Sequence, residues 1–322
     1  MRGRARGPVI RNPKKRIDLA IGRGLAASYI AASGALDSPF VLIDVGARDG
    51  INPRWLPLEP AMQVIGFDAI ADIAAPNARH RYFKIALGDR DGECRFYIPE
   101  NRYEARVSAD GSCIVPMAKL DTLWATQALP PADFIKIDCE GYEPEILHGA
   151  EQYLAASNLL GAEIETDIYP SQPLPQSHFA AVHAALARHR LLIADLGSIP
   201  VERFAWNRLY DVLFARHFIK ERSDGSAYVF KAADLDPTLD AILKTIAIFD
   251  VYALVAPAAA LVKEYRELIS RRVDPDALYE KVMLSQSSGM EKYLPHLGLG
   301  LWTGMRRFAL RASRRRPSSA AR

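Results

Sequence analysis

From Asp37 onward the chain alternates short, continuous apolar runs with stretches of helical spacing. Phe40-Val-Leu-Ile-Asp-Val has strand length and runs straight into Gly46-Ala-Arg-Asp-Gly50. Residues 61–67 predict a second strand closing on Asp68, and residues 82–87 a third closing on Gly88-Asp89. Residues 95–98 and 114–119 read as short antiparallel additions. Phe134-Ile-Lys-Ile-Asp138 predicts a fourth buried strand, with a helix starting near Tyr142. Residues 159–164 predict another strand. Phe179, Val182, Ala185 and Leu186 then mark a helix over 178–189, and 191–196 and 209–214 complete the strand-like runs. Strands that are apolar on both faces and alternate with helices imply an α/β fold, a doubly wound and mainly parallel sheet.

The pattern changes beyond about Lys220. Residues 239–267 and 275–284 are rich in Ala, Leu, Lys and Glu at helical spacing, without strand signals. The expected organisation is a basic N-terminal segment (1–36), an α/β domain (37–220) and a helical C-terminal appendage with a basic tail (221–322). The appendage is expected to pack on the core, as a cover for the site or as a homodimer contact.

Composition narrows the class. At 322 residues, 49% hydrophobic and net charge +3, the chain is ordinary globular material. The longest apolar stretch, 241–262, is broken by Lys244, Asp250 and Pro257, which argues against a spanning helix. Cys94, Cys113 and Cys139 lack CxxC or Cys/His spacing, so a reducing, cytoplasmic setting without structural zinc is expected. Arg23 interrupts 19–36, against a secretory signal. Both ends are basic, with Arg2, Arg4 and Arg6 at one and Arg306, Arg307, Arg311 and 314–316 at the other. They read first as solvated tails and second as a peripheral contact with an anionic membrane. Without interleaved aromatics they do not suggest nucleic acid.

The segment Asp44-Val-Gly-Ala-Arg-Asp-Gly50 carries the first candidate chemistry. Glycines at the end of a first strand let backbone turn tightly against a ligand, and a helix expected to follow would offer its free N–H groups. The motif is neither GxGxxG nor a GK[ST] loop, which disfavours dinucleotides and triphosphates. An acid leading the loop, Asp44, suits the ammonium of S-adenosylmethionine. Asp68, eighteen residues after Gly50, suits the two hydroxyls of a ribose, and Asp89 the adenine amino group. Each acid has a local explanation as a cap or turn residue. Three at successive strand ends, on the edge where such sheets bind ligands, point to a site. The expected cofactor contacts are Asp44, Gly46, Ala47, Arg48, Gly50, Asp68 and Asp89.

Taken with Val115-Pro-Met-Ala-Lys-Leu-Asp-Thr-Leu123 and Phe134-Ile-Lys-Ile-Asp-Cys-Glu-Gly-Tyr-Glu143 running to Leu147-His-Gly-Ala150, the loop resembles the FkbM family of methyltransferases. Glu163-Ile-Glu-Thr-Asp-Ile-Tyr-Pro170 and Tyr210-Asp-Val-Leu-Phe-Ala-Arg216 are similar to the family's later strands, so the likeness spans about residues 40–220. It implies a Rossmann-like class I methyltransferase fold and transfer of methyl from S-adenosylmethionine, usually to oxygen, with sugar and polyketide hydroxyls among the acceptors. Arg48 stands where the family often has asparagine, and Cys139 where valine is commoner.

A hydroxyl acceptor needs a base within hydrogen-bond reach, or a metal that lowers its pKa. Asp138 ends the fourth strand, Glu140 follows in the turn, and Glu165 ends the next strand. These three are expected to form an acidic pocket that binds sugar hydroxyls and supplies the base. Glu143 suits a helix start. Mg²⁺ held by the same acids is the alternative, ranked second. His148, His178 and His183 read as surface or packing residues, and Trp55, Trp124 and Trp206 as core before sugar platforms. A non-catalytic module with the same fold, and a nicotinamide oxidoreductase, are the rival classes. The partner expected is a small molecule or glycan.

Overall fold

The computed structural model describes residues 21–99, 105–167, 178–199, 209–216, 218 and 237–285. The basic ends and Trp206 lie outside the described residues. Helix α1 (Leu25–Ser33) precedes β1 (Phe40–Val45), β2 (Met62–Asp68) and β3 (His80–Lys84). Four short strands follow, β4 (Ala86–Leu87), β5 (Gly92–Tyr97), β6 (Arg106–Val107) and β7 (Cys113–Ala118), then α2 (Leu120–Gln127). The second half runs β8 (Phe134–Ile137), α3 (Glu143–His148), α4 (Glu151–Ala156), β9 (Gly161–Asp167), α5 (His178–Ala187), β10 (Leu191–Ile199) and β11 (Leu209–Arg216). Helices α6 (Leu239–Val251), α7 (Val255–Glu264), α8 (Arg266–Ile269) and α9 (Pro275–Ser285) complete it.

The main sheet has the order β10-β11-β9-β8-β1-β2-β3. Only β11 runs against its neighbours; every other pairing is parallel. The doubly wound, Rossmann-like sheet expected from the sequence is therefore present. Winding reverses between β1 and β8, the switch point where such sheets bind ligands. The apolar run at 82–87 does not stay in one sheet. Its first part belongs to β3, while Ala86 and Leu87 pair with β7 in a second sheet ordered β4-β7-β5-β6. An apolar run records burial, and burial continues across the change of sheet.

No α-helix follows the glycine loop. Residues 53–55 and 59–61 form 3₁₀ turns, and the crossover from β2 to β3 has no described helix either. Pro53, Pro57 and Pro60 each lack an N–H and crowd the preceding turn, so a regular helix cannot propagate here. The helix N-terminus expected beside the loop is thus corrected to a run of tight turns.

The sheet face left bare by these crossovers is covered from both ends of the chain. Phe40, Leu42, Met62, Val64 and Phe134 point toward α1 and α6–α9, packing with Ile30, Ile242, Ile246, Phe249 and Leu278 in one core. The alternate residues Val41, Ile43, Val45, Ile65 and Ile135 face α2–α5 through Leu147, Tyr153, Leu154, Val182 and Leu186. Helix α6 is buried from Ala241 through Val251. It is capped by Thr238, whose side chain accepts from the Ala241 N–H at 3.1 Å. Its one buried lysine, Lys244, reaches Asp133 Oδ2 at 3.0 Å and Asp240 Oδ2 at 2.9 Å. At the other end Asp250 Oδ2 accepts the N–H groups of Ala26 and Ala27 (2.8 and 2.9 Å), which caps α1, whose own N-cap is Gly24. No described helix is long and apolar enough to cross a membrane.

Candidate active site

A cavity opens at the carboxyl ends of β1, β2 and β8. Gly46, Arg48, Asp49 and Asp68 line one part, Asp138, Cys139, Glu140 and Tyr142 another. Its apolar walls are Phe67, Ile70, Leu87 and Ile146, with Phe96 and Val107 contributed by the small sheet. Gly46 is required there. Its φ is 85°, and a Cβ would stand 2.2 Å from the Asp138 carbonyl oxygen, so the loop lies directly against the end of β8.

The predicted cofactor residues separate into groups. Gly46, Arg48 and Asp68 line the cavity. Asp68 Oδ1 accepts the N–H groups of Ile70 (2.8 Å) and Ala71 (2.6 Å), which fixes the turn after β2 and leaves Oδ2 for a ligand. Ala47 is buried, its N–H bonded to the Phe67 carbonyl at 3.1 Å, and holds the loop against β2. Gly50 (φ 79°) closes the loop through its N–H to the Ala47 carbonyl at 2.8 Å and faces a neighbouring cavity. Asp44 lies beneath the loop, outside the lining and 3% exposed, with Lys136 Nζ 3.9 Å away. Burial raises its carboxyl to about 6, against the opposing pull of Lys136. Asp89 is also outside the lining, paired with Arg90 at 3.3 Å.

The three predicted acids converge. One carboxylate oxygen from each of Asp138, Glu140 and Glu165 lies within 4.8 Å of the other two. Glu140 reaches the cluster because the turn after β8 takes left-handed backbone at Glu140 (φ 55°) and Gly141 (φ 96°). Glu143, 1% exposed, fixes that turn, its Oε1 accepting from the Cys139 N–H at 3.0 Å and the Gly141 N–H at 3.1 Å. It acts as the helix-start residue the sequence suggested, and burial raises its carboxyl to about 7. Glu165 is raised further, to about 9, by burial first and then by Asp138, Glu140, Asp211 and Glu143. Burial and the four neighbouring acids together favour its protonated form at neutral pH. The separations would also accept a divalent cation, which takes oxygen ligands of this kind.

Several participants were not singled out in the sequence. Asp211 stands opposite Glu165 across β9 and β11, and Lys136 Nζ lies 3.2 Å from Asp138 Oδ2. Asp49 and Tyr142 join the lining. Trp55 is core, packed on Phe40 and Phe134, and Trp124 packs on Tyr153. Cys139 is held as a thiol by its burial, not as a nucleophile.

Residues 44–190 match the model of the methyltransferase FkbM domain. The 2-O-methyltransferase NoeI of Sinorhizobium fredii is 25% identical over 161 residues, 41% of this chain and 66% of NoeI. The chain therefore spans just under two thirds of the curated relative it matches. Among solved structures, an FkbM methyltransferase from Methylobacillus flagellatus is 15% identical with a TM-score of 0.32, covering 60% of this chain and 48% of that one. The magnesium protoporphyrin IX methyltransferase of Synechocystis with bound S-adenosylmethionine is 10% identical with a TM-score of 0.30, covering 59% and 76%. Those superpositions are too loose to carry an argument about the site. The sequence match, which runs from the glycine loop across all three converging acids, is the firmer finding: residues 44–190 are similar to the methyltransferase FkbM domain.

Proposed function

We propose that the chain is an S-adenosylmethionine-dependent methyltransferase acting on a hydroxyl of a saccharide or similar polyhydroxylated metabolite. The convergence of Asp138, Glu140 and Glu165 beside the loop-lined cavity carries this reading. The residues fit the donor. Gly46 leaves room for close approach, Asp68 Oδ2 is available to ribose hydroxyls, and Phe67, Ile70, Leu87 and Ile146 offer apolar walls to a base. When bound, the donor supplies a methyl carbon on a sulfonium, open to in-line displacement.

The chain's own residues then orient and deprotonate the acceptor. Protonated Glu165 donates to an acceptor oxygen or to a neighbouring hydroxyl of the same sugar. Asp138 or Glu140 would take the proton of the attacking hydroxyl, and the carboxylate cluster would retain that proton, balancing the positive charge that a sulfonium donor loses when it gives up its methyl. The name of NoeI, a 2-O-methyltransferase, supports oxygen as the acceptor atom. Mg²⁺ is the second reading, favoured only by the spacing of the acids.

The test is calorimetric titration with S-adenosylhomocysteine, beside an Asp68→Asn control. Saturable binding that weakens in the control supports the donor site; no binding by folded protein would favour a non-catalytic module. Labelled S-adenosylmethionine offered with glycan fractions and with small soluble metabolites then reads the acceptor. Label entering only the soluble metabolites would overturn the glycan part.

A further inference from the structure

The strand register sets three charged side chains in one row on the sheet face that α6 covers. Asp44 on β1 pairs with Lys136 on β8, and Lys136 with Glu163 on β9. Asp44 is 3% and Glu163 6% exposed. Lys136 Nζ lies 3.2 Å from Asp138 Oδ2 and 3.9 Å from Asp44 Oδ1, so one cation serves both the acid under the glycine loop and an acid on the acceptor side. Glu163 is a third claimant for it. A buried carboxylate draws a neighbouring lysine unless its own lone pairs are satisfied.

One oxygen of Glu163, Oε2, is engaged from the other side. Tyr252 donates its hydroxyl to Glu163 Oε2. Arg54 Nε stands 4.0 Å from the same oxygen, and the Arg54 guanidinium lies 4.2 Å over the Tyr252 ring. Tyr252 is buried completely, edge-on to Trp55 at 5.8 Å and stacked on Phe134 at 5.9 Å. Its ring is fixed by packing, so its hydroxyl has a fixed aim.

We propose that Tyr252, at the end of α6 and outside the matched segment 44–190, is a positioning residue for the site: its hydrogen bond to Glu163, supported by Arg54, leaves Lys136 to bridge Asp44 and Asp138. The FkbM domain then depends on the C-terminal helices for the arrangement of its acids as well as for cover. Only the ligand-binding arm of the test rests on the methyl-transfer reading.

Tyr252→Phe removes the hydroxyl and keeps the ring. In ligand-free protein, carboxyl ¹³C NMR follows the titration of Asp44, which Lys136, Glu163 and Asp138 face and beside which Tyr82 and Tyr252 also lie. The midpoint of Asp44 is expected to move by about half a pH unit or more in Tyr252→Phe. It should fall in Glu163→Gln, which removes a repelling charge, and Tyr252→Phe should add nothing in that background. S-adenosylhomocysteine binding should weaken about tenfold in Tyr252→Phe, the scale of one lost hydrogen bond to a charged group. It too should show no further loss in the Glu163→Gln background. An unmoved Asp44 midpoint, or equal loss of affinity in both backgrounds, would overturn the inference. If Tyr252→Phe does not fold, Glu163→Gln decides alone: an Asp44 midpoint that does not fall overturns it. Absence of S-adenosylhomocysteine binding by the native chain would defeat the methyl-transfer reading instead, with the NMR result still deciding this one.

Discussion

Glu165 on β9 is the register partner of Asp211 on β11, so two acids stand side by side on adjoining antiparallel strands. Burial first, and then Asp138, Glu140 and Asp211, raise the Glu165 carboxyl to about 9. An unfolded chain would release that proton near the ordinary value of 4.5. The folded state therefore binds more protons than the unfolded one between these limits, and stability falls as pH rises through them. Glu143, raised to about 7, adds in the same direction. Thermal unfolding at pH 6 and pH 9 should show a lower Tm at pH 9, and Glu165→Gln should narrow the gap. A gap of equal size in the variant would remove Glu165 as its source.

The same cluster predicts a proton linked to donor binding. A sulfonium placed beside Asp138, Glu140 and Glu165 favours their ionised forms, so S-adenosylmethionine should displace about one proton near pH 8. S-adenosylhomocysteine, without that charge, should displace much less. Calorimetry in buffers of different ionisation enthalpy measures the difference, and Glu165→Gln should abolish it.

Catalysis should be most sensitive at Asp138 and Glu140. Asp138→Asn or Glu140→Gln should lower kcat by about 10²-fold or more for whichever is the base, with smaller effects on donor affinity. Turnover should persist after exhaustive chelation. If chelation stops turnover and Mg²⁺ restores it, the acids hold a cation and the second reading replaces the first.

Gly46→Ala tests the close approach of loop and β8. The new methyl would meet the Asp138 carbonyl at 2.2 Å with φ at 85°, so loop or strand must move. The expected result is a Tm lowered by several degrees and loss of S-adenosylhomocysteine binding. Unchanged binding would place the donor elsewhere.

Lys244→Met tests the tie between α6 and the start of β8. It leaves Asp133, which also accepts the Val41 N–H at 2.8 Å, without its buried cation. Removing one partner of such a pair costs about 3–5 kcal/mol. Adding Asp133→Asn should recover part of that loss in denaturant unfolding.

What the sequence revealed follows from what short segments record. The strands carrying or reaching Asp44, Asp68 and Asp138 were legible because a buried strand is an apolar run, and the end of that run marks the sheet edge. Asp138 and Glu140 belong to one turn, and Glu165 follows the apolar run of the next strand, although β9 continues past it to Asp167, so their meeting could be expected. Asp211 was not legible. It lies mid-strand in β11, and only the antiparallel return of that strand brings it to Glu165. Lys136 and Tyr252 were hidden for the same reason: one is flanked by apolar neighbours, and the other comes from a helix more than a hundred residues away. The missing helix after Gly50 is written in the three prolines of 53–60, each of which removes a helical N–H.

The cover of the sheet by α6–α9 has a consequence for synthesis. The apolar face formed by Phe40, Leu42, Met62 and Val64 is made early on the ribosome, while α6–α9, which with α1 bury it, begin only at Leu239. Until then the nascent chain carries an open, aggregation-prone surface, and contacts of such sequence separation form slowly. The strands that carry the loop and the acids therefore complete their cover only with the last helices to be translated, and a ribosome stalled before residue 239 would hold a complete loop and all three converging acids on a sheet whose one face α1 alone covers.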